Sequence, residues 1–322
     1  KLPTADAFVA DPKPDPIEVT EIYAAWMRDE LSKHSDAILI MPLLNLDELW
    51  GPSYAGMNSA IQPILDAANR ANIDPSRVYM VGHSMSAHAA WNLALHYTTY
   101  FASFNALAGG ASQDWERIRL TNLRSVLPVI WHDADDDLIK IDVAKQIVKI
   151  LRTQKVDVEY IETKGVGHVP TDAIAEQCYQ KMRSSIRTLY PQHVSLQSDR
   201  PDTMFNRNDW VQIYQPLRTG DEKKYHFSHG SGTMLIYPLA FSVDAMIENN
   251  RISVTSKNVE SMRFYVNDQM IDFTRAASVV INGKPRYEAF VKPSIDEMLK
   301  DQLFLGRGWR YFTGVIDIDF GK

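Results

Sequence analysis

The stretch from Arg77 to Ala87 carries the residues best suited to chemistry. A β-branched run breaks at Gly82-His83-Ser84-Met85-Ser86 and a helix-prone segment follows. A strand that feeds directly into a helix holds the turn residue in a strained backbone conformation. The side chain of that residue then projects beyond the sheet, provided that the neighbours two positions away on either side are small. Gly82 and Ser86 are those neighbours, and Ser84 is the projecting nucleophile. The blander alternative is that Ser84 only caps the following helix, a position that serine favours.

A serine hydroxyl needs a base, and the base needs a group to orient it. Leu127 to Trp131 reads as a buried strand that runs into His132-Asp133-Ala134-Asp135-Asp136-Asp137-Leu138-Ile139. A later alternating strand, Val156 to Ile161, leads to Lys164-Gly165-Val166-Gly167-His168, where two glycines precede a loop histidine. The order along the chain is serine, acid, histidine, which differs from the orders in chymotrypsin and subtilisin folds. Four carboxylates within five residues repel one another, so their titration is coupled and the environment decides which one meets an imidazole. A solvated turn or a calcium loop is the competing reading of this cluster, although it lacks the glycine and distant glutamate of an EF-hand. His83 and His88 flank the serine and are assigned no catalytic role.

These motifs resemble the α/β-hydrolases of the esterase, polyhydroxybutyrate-depolymerase and prolyl-oligopeptidase-like group. Ile73 to Tyr79 looks like the lead-in to the nucleophile strand of that family, Phe101 to Gly110 looks like the next strand, and the match runs from about Ile38 to Tyr190. In the family a His-Gly-x-x-Asp-x-x-Val string marks the catalytic acid. Laid on His132 to Ile139, the string selects Asp136, with Asp135 as second choice, and Asp133 stands where the family has glycine. The resemblance implies acyl transfer with Ser84 as nucleophile, His168 as general base and the Met85 N–H as one oxyanion donor. The second donor normally comes from a His-Gly-Gly-type turn, and no such turn precedes Ser84. The expectation is that the chain begins after the strands that carry it, or that the loop near Ala10 to Pro14 substitutes. A peptidase of the prolyl-oligopeptidase-like group, or a weak or inactive hydrolase-fold binding protein, are the alternatives to a carboxylesterase.

Positioning these groups requires a parallel sheet covered by helices. The predicted elements are helices at 17–33, 53–71, 86–97 and 143–152, a helix capped by Thr171 that ends near Tyr190, and strands at 38–44, 78–81 and those named above. Helices alternating with strands imply a doubly wound α/β fold over residues 1–191. Trp50 and Tyr54 follow the 38–44 strand at its carboxyl end, where open α/β sheets place ligands, and are expected to border the substrate pocket.

After Pro191 the period changes, and residues 192–322 read as a smaller β-rich, sandwich-like accessory domain. Phe241 to Glu248 and Arg251 to Lys257 alternate across Asn249-Asn250, and Ser278 to Ile281 meets Lys284 to Val291 across Asn282-Gly283, a strong hairpin signal. Ser294 to Glu297 reads as a capping box. The aromatics Trp210, Tyr214, Tyr287, Trp309, Tyr311 and Phe312 are either core or a carbohydrate or polymer surface. His226 and His229 lack further ligands at zinc-site spacing.

With 322 residues and 45% hydrophobic content, the chain can bury substantial cores. A net charge of −6 without a basic stripe argues against a nucleic-acid partner. No apolar run approaches the roughly 18 residues of a membrane span. Cys178 is the single cysteine, so no intrachain disulfide can form. No cofactor or metal is expected, and the expected partner is a small or polymeric ester.

Overall fold

The computed structural model describes residues 29, 36–42, 54–201, 205–217, 223–226, 233–306 and 309–320. The expected helix at 17–33 lies outside them except for Asp29. Residues 38–42 belong to no strand, and Ile38 is exposed. A strand exists only through its ladder, and these residues make none with a described neighbour, so the strand expected at 38–44 is not found over its described part.

The first layer is a four-stranded parallel sheet in the order β1 (Tyr79–His83), β2 (Ser103–Leu107), β3 (Leu127–Asp133), β4 (Glu159–Thr163). Among the described residues, four helices of more than ten residues accompany it: α1 (Tyr54–Arg70), α2 (Met85–His96), α3 (Asp142–Thr153) and α4 (Asp172–Ser184). β3 is buried along almost its whole length, which is why Leu127 to Trp131 reads as an apolar run, and β2 is fully buried although it carries Ser103 and Asn105. Alternate residues divide between the two faces. Phe104, Ala106 and Ile130 join the cluster that contains Ala87, Trp91, Ala94, Ile147 and Leu151 of α2 and α3. Leu107, Val129 and Trp131 face Cys178 and Met182 of α4. Helices therefore cover both faces of the sheet.

α4 begins where expected, with the Thr171 hydroxyl accepting from the Ile174 N–H, but it ends at Ser184, six residues before Tyr190. Ser185 is extended, and the Tyr79 hydroxyl donates to the Ser185 carbonyl at 2.8 Å. That exit delivers Arg187 into the interior, where its guanidinium donates to the carbonyls of Phe101 (2.7 Å) and Ser125 (3.1 Å). Satisfying these buried carbonyls outweighs continuing a short helix.

Beyond Pro191 the strands are mostly antiparallel. One sheet has the order β14 (Lys284–Ala289), β13 (Ala277–Ile281), β11 (Arg251–Lys257), β10 (Phe241–Glu248), β5 (His193–Ser198). A second has the order β15 (Gly314–Asp319), β12 (Val259–Val266), β7 (Val211–Pro216), β6 (Arg207–Asn208). β8 (Lys223–His226) and β9 (Thr233–Ile236) form a separate ribbon. The period of two buries Phe241, Val243, Ala245 and Ile247 of β10 in one cluster with Met262 and Phe264 of β12 and Val211 and Ile213 of β7. The two hairpin turns take the left-handed conformations that their residues favour: Asn249 and Asn250 have φ of 49° and 61°, and Asn282 and Gly283 have φ of 50° and 77°. Helix α5 (Ile295–Leu305) carries half of the expected capping box. The Ser294 hydroxyl accepts from the Glu297 N–H at 3.3 Å, whereas the Ser294 N–H donates to the Thr313 carbonyl instead of the Glu297 carboxylate.

The apolar core continues across position 191. Tyr100 packs on Trp309 with ring centroids 5.2 Å apart, and Tyr97 meets Phe205 edge-on at 5.7 Å. Trp210, Trp309 and Phe312 are almost fully buried, which makes them core residues and not a ligand-binding surface. A buried polar knot reinforces this junction. The Asp209 carboxylate takes Arg187 at 2.6 Å and Arg310 at 2.5 Å on one oxygen and the Ser125 hydroxyl at 3.0 Å on the other.

Candidate functional site

Ser84 occupies the one-residue junction between β1 and α2, with φ 56° and ψ −118°. The left-handed φ is costly for a side chain with a Cβ, and it persists because both flanking elements are fixed by packing. Two glycines permit it. A Cβ on Gly82 would meet the Ser86 carbonyl oxygen at 2.1 Å, and one on Gly109, just after β2, would meet the Ala87 Cβ at 2.6 Å and the Ser84 carbonyl oxygen at 2.8 Å. Ser86, which stands where a second small neighbour is needed, is exposed and is therefore accommodated. The Ser84 hydroxyl does not cap α2, so the capping alternative is not what this side chain does.

Instead, the Ser84 hydroxyl donates to His168 Nε2 at 2.9 Å. On the other side of the ring, His168 Nδ1–H donates to Asp136 Oδ2 at 2.9 Å. The carboxylate can only accept, which fixes the proton on Nδ1 and leaves Nε2 free to receive one. Asp136 Oδ1 accepts the N–H groups of Leu138 and Ile139, each at 2.9 Å, so both carboxylate oxygens are held. His132 Nε2–H donates to the Ile139 carbonyl at 2.7 Å and lies 3.3 Å from Asp136 Oδ2, closing the same loop from beneath. Burial alone would raise the Asp136 carboxyl, but the Ile139 and Leu138 N–H groups and the His168 ring outweigh it and hold the group below the usual carboxylate range.

Of the four clustered carboxylates, Asp136 and Asp133 are buried, whereas Asp135 and Asp137 are exposed. The structure therefore brings Asp136 to His168 and leaves Asp135, the second choice, in solvent. Because the two buried groups are filled by protein donors, the calcium-loop alternative loses its ligands. Among the described residues, no three His, Cys, Asp or Glu side chains converge as a metal site. Met85 is the first residue of α2, so its N–H has no acceptor within the helix. Trp50 lies outside the described residues, as do Ala10 to Pro14. Tyr54 opens α1, and its side chain is also outside the description.

His83, Asp133 and His88 carry no role in the sequence reading. His83 Nε2–H donates to the His168 backbone carbonyl at 2.9 Å, which ties the residue before the serine to the loop of His168. Burial lowers the His83 pKa, so this imidazole is neutral at neutral pH. Asp133 accepts from Thr163, Val166 and Asp135 and joins the loop of Asp136 to the loop of His168. Its departure from the glycine of the resembling family was the available signal. His88 lies on α2 and donates from Nδ1 to the Gly110 carbonyl at 2.6 Å, bracing the loop after β2.

No protein-family model matches the chain, and no curated protein matches it. Among solved structures, the chain is similar to a thermostable esterase at 20% identity and a TM-score of 0.36, over 41% of this chain and 37% of the esterase. It is similar to the carboxylesterase of Bacillus cereus at 16% identity and a TM-score of 0.36, over 40% of this chain and 60% of that one. It is also similar to a carboxylesterase from Mesorhizobium loti at 19% identity and a TM-score of 0.34, over 39% and 59% of the two chains. In each case this chain spans less than two thirds of the neighbour.

Proposed function

We propose that the chain is a serine hydrolase of the α/β-hydrolase type that cleaves carboxylic esters, with residues 1–191 carrying the reaction and residues 192–322 forming a β-rich accessory part. The observation that carries this reading is the unbroken line from Ser84 Oγ through the His168 ring to Asp136, with both links at 2.9 Å. His168 Nε2 takes the Ser84 proton as the hydroxyl attacks the ester carbonyl. Asp136 holds the ring in the tautomer that can do so and stabilises the imidazolium that forms. The Met85 N–H donates to the developing oxyanion, and the protonated His168 then returns its proton to the departing alkoxide. Water enters by the same route in reverse and releases the acid.

The surroundings favour an ester with an apolar acyl part. Met85, Leu138 and Val169 are exposed apolar side chains, each one or two residues from Ser84, Asp136 or His168 in sequence. Exposed apolar side chains that neighbour the reacting residues along the chain suit a hydrocarbon substrate better than a charged one.

The test is to incubate the full chain with a fluorophosphonate probe and, separately, with a p-nitrophenyl butyrate ester, using Ser84→Ala as control. Labelling and turnover that disappear in the variant support the reading. Folded wild-type protein that neither labels nor turns over would overturn it and leave a hydrolase-fold binding protein.

A further inference from the structure

Asp133 is the last residue of β3 and pairs in register with Thr163, the last residue of β4. Its side chain is fully buried, yet its oxygens are occupied. Oδ2 accepts the Thr163 hydroxyl at 2.7 Å and the Val166 N–H at 3.1 Å, and Oδ1 accepts the Asp135 N–H at 2.9 Å. Thr163 is held in turn by the Trp131 indole N–H, which donates to its hydroxyl at 3.0 Å, and by the Ala134 N–H, which donates to its carbonyl at 2.8 Å.

One carboxylate therefore spans two loops. Residues 134–139 carry Asp136, and residues 164–168 carry His168. The second loop is otherwise held by the His83 bond to the His168 carbonyl and by Val166, which packs against the cluster of Trp131 and Cys178. Gly165 and Gly167 both adopt positive φ, at 84° and 83°, and a side chain at either would meet nothing within 4 Å. A loop with two unpacked glycines loses much conformational entropy when it is ordered. A buried charged acceptor is the strongest hydrogen-bonding partner available to offset that cost.

We infer that Asp133 is a positioning residue: its carboxylate pins the glycine-rich loop of His168 to the loop of Asp136 and so sets the imidazole at bonding distance from both Ser84 and Asp136. This inference rests on the acyl-transfer reading above. The charge state agrees with the role. Burial would raise the Asp133 carboxyl, but donors from Thr163, Asp135, Gly167 and Val166 hold it at about 2, so it is an anion throughout the range in which the chain would work. A glycine here, as in the resembling family, would leave the Val166 N–H and the Thr163 hydroxyl without this acceptor.

The experiment compares wild type with Asp133→Asn, Thr163→Val and Thr163→Ser, measuring kcat and KM on p-nitrophenyl butyrate together with hydrogen exchange of peptides covering 163–169. Misplacing a reacting group by about 1 Å costs about 10²-fold in rate. Asp133→Asn is therefore expected to lower kcat by about that factor, with KM changed by less than about threefold and with faster exchange confined to 163–169. Thr163→Val removes the hydroxyl that donates to Asp133 and accepts from Trp131 and should lose activity in the same direction, whereas Thr163→Ser keeps the hydroxyl and should restore it. If Asp133→Asn fails to fold, the Val and Ser pair decides the matter. Unchanged kcat in folded Asp133→Asn, or equal activity of the Val and Ser variants, would overturn the inference. A wild type that neither labels nor turns over overturns the ester reading instead, and the exchange data then judge the pin by themselves: unchanged protection of 163–169 in Asp133→Asn would refute it.

Discussion

A Cβ on Gly82 would lie 2.1 Å from the Ser86 carbonyl oxygen, so the strand and the first turn of the following helix touch through backbone alone. That contact makes the sharp turn at Ser84 possible. The neighbouring atoms belong to the backbone of α2 and cannot rotate away. Gly82→Ala is therefore expected to displace the turn, destabilise the protein by about 1–3 kcal/mol and abolish fluorophosphonate labelling. Ser86→Gly, at an exposed position, should leave labelling nearly unchanged. Thermal unfolding and probe labelling of the two variants check this, and an active Gly82→Ala would contradict it.

Asp136→Asn keeps an acceptor for the Leu138 and Ile139 N–H groups but can turn an NH₂ toward His168 Nδ1. The ring then adopts the tautomer that places a proton on Nε2, where it cannot accept the Ser84 hydroxyl. A loss in kcat on the order of 10³–10⁴ is expected, with little change in unfolding temperature. Asp135→Asn, at an exposed carboxylate, should change kcat by less than about threefold, since an exposed carboxylate in solvent interacts weakly. Steady-state kinetics on the two variants separate these neighbours, and equal losses would refute the assignment.

How much of this was legible beforehand follows from range. The β10–β11 hairpin is read to the residue because alternation and Asn249-Asn250 are local signals. The junction at Ser84 is equally local, since it needs only the residue types around it. Which of four aspartates faces the imidazole was not local. It depends on the Leu138 and Ile139 N–H groups turning Asp136 inward while Asp135 turns out. The end of α4 at Ser184 was missed because the buried carbonyls that draw in Arg187 belong to Phe101 and Ser125, distant in sequence. The role of Asp133 depends on a residue thirty positions later, brought alongside only by the parallel register of β3 and β4.

Acid stability should follow the two buried aspartates. Both Asp133 and Asp136 have folded-state pKa values below their ordinary value, Asp133 at about 2. A depressed folded pKa contributes stability that is complete above the unfolded value of about 4 and is lost as pH falls through the folded value. Urea unfolding of wild type and Asp133→Asn from pH 6 to pH 2 should show a constant stability gap above about pH 5, narrowing steadily toward pH 2. A gap that widens on acidification would contradict the hydrogen-bond pattern.

The junction between the halves gives the largest expected stability effect. Asp209 has no exposed side-chain surface and faces two guanidinium groups, also without exposed surface, on Arg187 and Arg310. Burial would raise the Asp209 carboxyl, yet the two cations outweigh it and hold the group below its usual range. Burial in turn lowers Arg310 to about 10 despite that carboxylate. Asp209→Asn leaves two buried cations without a counter-charge, and removing one partner of such a pair costs about 3–5 kcal/mol. The knot also holds backbone from both halves, since Arg187 donates to Phe101 and Ser125 and Arg310 donates to Leu189 and Thr99. Unfolding followed by tryptophan fluorescence and by circular dichroism should therefore shift to lower denaturant as one coincident transition. A loss under about 1 kcal/mol in the variant would show that the halves are held together elsewhere, and two separated transitions in wild-type protein would show that they unfold independently.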